Sequence, residues 1–165
     1  MNNIRKRFNE IYDEYIDKIY RFVFLRVNSV ETAEDLTSET FVRLWDSLRG
    51  EKDIENPQAF IYKIARNLTI DFYRNKHKLN VVSTSSVKII DPRIDLEEKA
   101  NLNSELEQVK KALSTLKDEY QEALILYYLE KVSVPEIADI LGKSENAVRV
   151  MIHRGVGKLR EILKD

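Results

Sequence analysis

The chain has 165 residues, 28 acidic and 27 basic, for a formal net charge of −1, with 43% hydrophobic and 33% charged residues. That balance suits one compact domain or two small ones with much exposed charge. The absence of cysteine excludes a disulfide framework, a thiol nucleophile and a cysteine-based zinc site. Four Gly and three Pro leave few turns and favour long helices.

The chain opens with MNNIRKRFNEIYDEY, a basic tip that turns acidic with no apolar run, unlike a signal peptide. Helical periodicity is expected from Phe8 to about His77 and again from about Leu102 to Leu163. Acidic residues dominate the early part: from Glu10 to Asp46 there are nine acids against Lys18, Arg21, Arg26 and Arg43. Within it, ETAEDLTSETFVRLWDSL puts Ala33, Leu36, Thr37, Thr40, Phe41, Leu44 and Leu48 on one stripe, the expected core side. The opposite side carries Asp35, Ser38, Glu39, Val42, Trp45 and Asp46. An acidic face with Val42 and Trp45 at its middle suits protein docking, with an apolar centre and a charged rim. The same pattern also fits a Trp45 ring folded into the core.

The next helix reverses the charge. In ENPQAFIYKIARNLTIDFYRNKHK the expected core stripe is Ile61, Ile64, Ala65, Leu68 and Phe72. Lys63, Arg66, Asn67, Ile70, Arg74 and His77 share another face, with Tyr62 and Tyr73 expected exposed beside them. Interleaved cations and aromatics suit single-stranded nucleic acid, where rings stack and cations follow the backbone. A solvated basic face with tyrosines at the core edge fits as well.

Residues 79–104 read as a tether, with a Ser/Thr cluster, Asp91 followed by Pro92, and small apolar patches at Val81, Val82, Ile89 and Ile90. Beyond it, ALILYYL at 123–129 is the longest apolar run and too short to span a bilayer. Ser133, Pro135 and Glu136 form a capping box with Pro in the first turn. Ile137, Ala138 and Leu141 follow on one face, and Gly142 stands where a helix ends in a left-handed residue. Ser144 can cap the next helix. Val148, Met151, Ile152, Gly155 and Leu159 are expected inward. Outward lie Asn146, Arg149, Val150 and His153, then Arg154, Lys158 and Arg160. This is helix-turn-helix chemistry: early residues of the second helix reach base edges and later cations suit phosphates. A capped hairpin with a solvated basic face is the alternative.

The expected architecture is all-α: two small helical domains, 1–78 and 105–165, joined by a flexible linker at 79–104, with the helix-turn-helix in the second. The near-zero net charge then hides separate acidic and basic faces. Only two histidines, no Gly-rich phosphate loop and no metal-ligand spacing are present, so no catalytic residue, metal or cofactor is assigned.

AEDLTSETFVRLW, FIYKIARNLTIDFYRNKHK and VPEIADILGKSENAVRVMIHRGVGKLR, in that order, resemble the extracytoplasmic-function (ECF) group of sigma factors of bacterial RNA polymerase. The resemblance covers nearly the whole chain. It implies that the first motif docks on core polymerase through Asp35, Ser38, Glu39, Val42 and Trp45. Ser38 stands where the family usually has Gln. The second motif is implied to melt and read the minus-ten element through Lys63, Arg66, Asn67, Ile70, Arg74 and His77. There an unpaired base is captured against the loop from Gly50 to Pro57. The third is implied to read the minus-thirty-five element through Ser144, Asn146, Arg149, Val150, His153, Arg154 and Lys158. Val150 and Met151 replace small hydroxylic and basic residues of the family, and Gly155 with Val156 replaces a common Ala-Arg pair. The implied partners are core RNA polymerase, promoter DNA and an anti-sigma factor, and the implied setting is a cytoplasmic stress or envelope response. A stand-alone helix-turn-helix regulator is the alternative, although no heptad seam for self-association is visible.

Overall fold

Every regular element among the described residues is helical, and no strand appears among them. The computed structural model describes residues 2–27, 29–78 and 96–163, with side chains described except at 77–78 and 96–99. The apolar patches read in the tether, Val81, Val82, Ile89 and Ile90, lie outside the described residues. The chain divides into two units, at residues 1–92 and 93–165.

The first unit holds α1 (Asn2–Phe24), α2 (Val30–Arg49) and α3 (Pro57–Lys78). Helix α1 begins six residues ahead of Phe8, where apolar periodicity starts; its first turn carries a single apolar residue, the half-buried Ile4, too little to set a period. It buries Ile11, Tyr15, Ile19, Phe22 and Val23 against the other two helices. Ser29 caps α2, its hydroxyl oxygen accepting from the Thr32 amide at 3.0 Å. The inward face of α2 is Ala33, Thr37, Thr40, Phe41, Leu44 and Leu48, with Leu36 half-buried at its edge. The two buried threonine hydroxyls donate to carbonyls one turn back, Thr37 to Ala33 at 2.6 Å and Thr40 to Leu36 at 2.7 Å. Those bonds remove the cost of burying them unpaired. In α3, Ile61, Ala65 and Leu68 are buried, while Ile64 and Phe72 are only half-buried.

Tyr62 corrects the sequence expectation. It is 0% exposed, packed edge-on to Tyr15 and Phe22 of α1 with ring centroids 6.4 and 5.5 Å away. A tyrosine at the edge of a helical stripe goes inward when the neighbouring helix supplies rings for it to meet. Tyr73, half-buried, donates its hydroxyl to the Arg26 carbonyl.

The second unit holds α4 (Leu96–Leu113), α5 (Asp118–Leu124), a π-helical turn (Ile125–Leu129), α6 (Val134–Leu141) and α7 (Glu145–Leu163). Helix α4 takes in residues 96–104, which the sequence reading gave to the tether. The apolar run at 123–129 supplies the end of α5 and the π turn. Inside that run Leu124, Ile125 and Leu126 are buried, whereas Tyr127, Tyr128 and Leu129 are exposed. Ser133 caps α6 by accepting from the Glu136 amide at 3.4 Å, and Gly142 closes it at φ 65°. Helix α7 buries Val148, Met151 and Gly155, with Ile152 and Leu159 half-buried. At Gly155 an added Cβ would lie 3.0 Å from the Leu124 Cδ1, so α5 and α7 approach closely there.

Candidate docking and nucleic-acid interfaces

The exposed side of α2 follows directly from its buried side. Residues 35, 38, 39, 42, 45 and 46 recur at three- and four-residue steps and share the face opposite Ala33, Thr37 and Leu44. Asp35 and Ser38 are half-buried, Glu39 and Asp46 exposed. Val42 is 41% exposed, high for a valine in a helix with this well-filled core face. Glu39 accepts from the Arg43 guanidinium at 3.2 Å, an exposed pair one turn apart that is worth little in water. Trp45 is half-buried, its ring edge-on to Phe8 of α1 at 5.3 Å. Phe8, Tyr12 and Phe41 continue the same aromatic cluster. Trp45 thus joins both alternatives read from the sequence: one side braces α1 and the rest remains on the acidic face.

On α3, positions 63, 66, 67, 70, 74 and 77 line one face. Lys63, Arg66 and Ile70 are half-buried, Asn67 and Arg74 exposed. Arg74 lies 3.8 Å from Asp71, both exposed. The backbone of His77 belongs to α3, and its side chain lies outside the described residues. With Tyr62 buried and Tyr73 tied to Arg26, the stacking wall read into this face is not supplied by those two rings.

The loop between α2 and α3 offers another wall. Gly50 bonds back to the Asp46 carbonyl at 3.0 Å, and Glu51 turns the chain at φ 58°. Ile54 is 3% exposed and dips into the core, while Glu51, Lys52, Asp53, Glu55 and Asn56 stay exposed. Asn56 accepts from the Ala59 amide at 3.2 Å and starts α3. Lys52 stands over the Phe60 ring at 4.8 Å. Arg7, from the basic tip of α1, donates its guanidinium to the Ile54 carbonyl. Sequence reading passed over Arg7 because a bond across 47 positions leaves no trace in local periodicity.

In the second unit, Ser144 accepts from the Ala147 amide at 3.1 Å and caps α7, leaving its hydroxyl proton to be donated outward. Asn146, Arg149, Val150, His153 and Arg154 are exposed on the first three turns of α7, with Val150 at 44%. Arg149 reaches towards the Asn146 side-chain oxygen at 3.5 Å, a long and weak contact that a base edge can replace. Lys158, at the far end of the row, leans back over the Tyr120 ring, 5.2 Å from its centroid. The arrangement matches a helix-turn-helix whose second helix carries base-reaching residues first and cations after.

No group of acidic or histidine side chains that could hold a metal ion occurs among the described residues, and none of their helices is long and apolar enough to cross a membrane.

Comparison with known proteins agrees with this geometry. Residues 11–79 match the sigma-70 region 2 family and residues 106–159 the sigma-70 region 4 family. The ECF sigma factor SigW of Bacillus subtilis is 30% identical, the alignment covering 96% of this chain and 89% of SigW. SigM of the same species is 31% identical, with 93% of each chain covered. BldN of Streptomyces coelicolor is 31% identical, and the chain spans only 61% of its length. The fold is shared with RpoE of Bartonella quintana, at TM-score 0.73 and 23% identity, covering 96% of this chain and 98% of RpoE. It is also shared with CnrH, at TM-score 0.71 and 24% identity, covering 97% and 89%. The chain therefore belongs to the extracytoplasmic-function sigma factors of bacterial RNA polymerase.

Proposed function

We propose that this sigma factor docks on core RNA polymerase through the acidic face of α2 and carries it to promoters read by α3 and α7. The docking residues are Asp35, Ser38, Glu39, Val42 and Trp45. Lys63, Arg66, Asn67, Ile70, Arg74 and His77 serve the minus-ten element, with the unpaired base held against the loop at 50–57. Ser144, Asn146, Arg149, Val150, His153, Arg154 and Lys158 serve the minus-thirty-five element. The first domain is residues 1–78 and the second ends at 165. It is taken to begin at 105, after a linker of residues 79–104, with α4 running into it from Leu96.

The observation that carries this reading is the separation of charge by element. One helix presents carboxylates around an exposed valine and a half-buried tryptophan, and two others present cations. A stand-alone DNA regulator has no use for the first of these faces. The chain contributes no bond-making chemistry of its own, which the polymerase supplies, and it works in the cytoplasm. RpoE of Bartonella quintana was solved with the anti-sigma factor NepR, and CnrH with the cytosolic domain of CnrY. An inhibitor of that class is accordingly proposed here too.

Run-off transcription with purified core polymerase tests the reading. Transcripts from a discrete set of promoters, dependent on this chain, are expected. Sequence-specific binding without any effect on core would favour the stand-alone regulator.

A further inference from the structure

A loop that walls an unpaired base must be set in place before the base arrives, because discrimination depends on geometry held within about half an ångström. Here the two ends of the loop are fixed by helix chemistry, through the Gly50 amide at α2 and the Asn56 cap at α3. Beyond the Lys52 amide, which donates to the Ser47 carbonyl at 3.1 Å, and the Lys52 cation over the Phe60 ring, its middle is held by two further contacts. The Ile54 side chain is buried, and the Ile54 carbonyl accepts from Arg7 of α1. That carbonyl belongs to the peptide plane joining Ile54 to Glu55, and Asp53 and Glu55 on either side of Ile54 are both exposed. Holding the plane therefore fixes the Cα of Glu55 relative to the buried Ile54, and with it where the exposed Glu55 side chain leaves the loop. Burial of Ile54 alone fixes depth but leaves that plane free to tilt.

We propose that Arg7 is a positioning residue for base selection: from α1 it locks the Ile54 carbonyl and so presets the loop at 51–56 against which the unpaired base is read. This rests on the assignment of that loop to base capture. Arg7 makes no contact with the base and acts through the loop. A charged donor is suited to this, since a hydrogen bond to an ionised group is about twice as strong as a neutral one.

The test uses holoenzyme assembled from the full chain and promoter templates premelted over the downstream element, carrying each of the four bases in turn at the captured position. Binding preference among the bases is measured for the parent, Arg7→Ala, Arg7→Lys and the double variant Asp53→Ala with Glu55→Ala. Affinity for core polymerase is measured alongside. Arg7→Ala is expected to lower the preference for the best base over the worst by about fivefold. Its core affinity should stay within about twofold of the parent, because the α2 face is untouched. Arg7→Lys, which can still donate to the carbonyl, is expected to recover much of the preference. If the double loop variant changes preference and Arg7→Ala does not, the role of Arg7 is overturned while base capture by the loop stands. If the double variant leaves preference intact, base capture by the loop fails and the role of Arg7 falls with it. Loss of core affinity in step with preference would make Arg7 a general prop of the fold and overturn the specific role.

Discussion

Gly155 and Gly157 stand two positions apart in α7 and answer to different constraints. Nothing lies within 4 Å of a Cβ added at Gly157, whereas one added at Gly155 meets Leu124 at 3.0 and 3.2 Å. Gly157→Ala should therefore gain helix propensity alone and raise stability by about 0.5–1 kcal/mol. Gly155→Ala gains the same propensity but must displace the buried Leu124, so it should fall below Gly157→Ala by about 1 kcal/mol or more. Paired urea titrations check the order, and equal stabilities would mean that Leu124 yields freely. On α2, Asp35→Arg turns a half-buried attractive charge into a repulsive one at the proposed polymerase face. A loss of core affinity worth several kcal/mol is expected, with the circular dichroism melt unchanged. Parental affinity would show that the face is wrongly assigned. The two proposed DNA readers separate in the same way. Arg149→Ala should cost about 1–3 kcal/mol and relax preference at one upstream position. Arg154→Ala should weaken upstream binding evenly with a shallower salt dependence, and Asn67→Ala should instead impair opening at the downstream element. Identical defects from all three would contradict this division.

At the scale of elements, local chemistry was legible wherever a few neighbouring residues decide the outcome. Ser133, Gly142 and Ser144 mark the turns of the helix-turn-helix because caps depend on side chains within one turn of the helix end. The buried stripe of α2 was legible for a similar reason, since the period alone decides which side faces inward. What stayed hidden depends on partners distant in sequence. Tyr62 is buried because Tyr15 and Phe22 receive it, and the loop at 51–56 is tied by Arg7. The π turn was illegible for another reason: a continuously apolar run carries no period, so nothing in ILYYL says where the extra residue is accommodated. Ser29 offers a test at this scale. Its hydroxyl accepts from the Thr32 amide and donates to the Thr32 hydroxyl at 2.7 Å. Ser29→Ala should cost about 1 kcal/mol and lower the melting midpoint of the first domain by about 4–8 °C. An unchanged midpoint would show that α2 is held by its packed face alone, with its cap contributing nothing measurable.

At the scale of the whole molecule, a net charge of −1 has to be reconciled with binding to DNA. Attraction to phosphates depends on local cations, but carboxylates elsewhere on the chain weaken the general pull on a polyanion. The acidic face of α2 therefore handicaps the free protein, and docking on a basic polymerase surface would neutralise it. Reach imposes a second handicap. Residues 79–95 separate the last helix of the first unit from α4, and seventeen residues extend to about 60 Å at most. Promoter elements two helical turns apart lie about 70 Å from each other. The bodies of the two domains must then supply the remaining distance, in an orientation that suits both elements. Without that orientation the first contact raises the effective concentration for the second only slightly. Core polymerase would remove both handicaps at once, covering the carboxylates and fixing the separation of the readers. Titration of labelled promoter duplex at one salt concentration, with and without core, should show weak binding by the free chain. Added core should give tight binding sensitive to both elements. Mutating either element should then matter only when core is present. Tight, sequence-specific binding by the isolated chain would mean that neither the acidic face nor the connection limits it, and that the polymerase is not what turns this protein into a promoter reader.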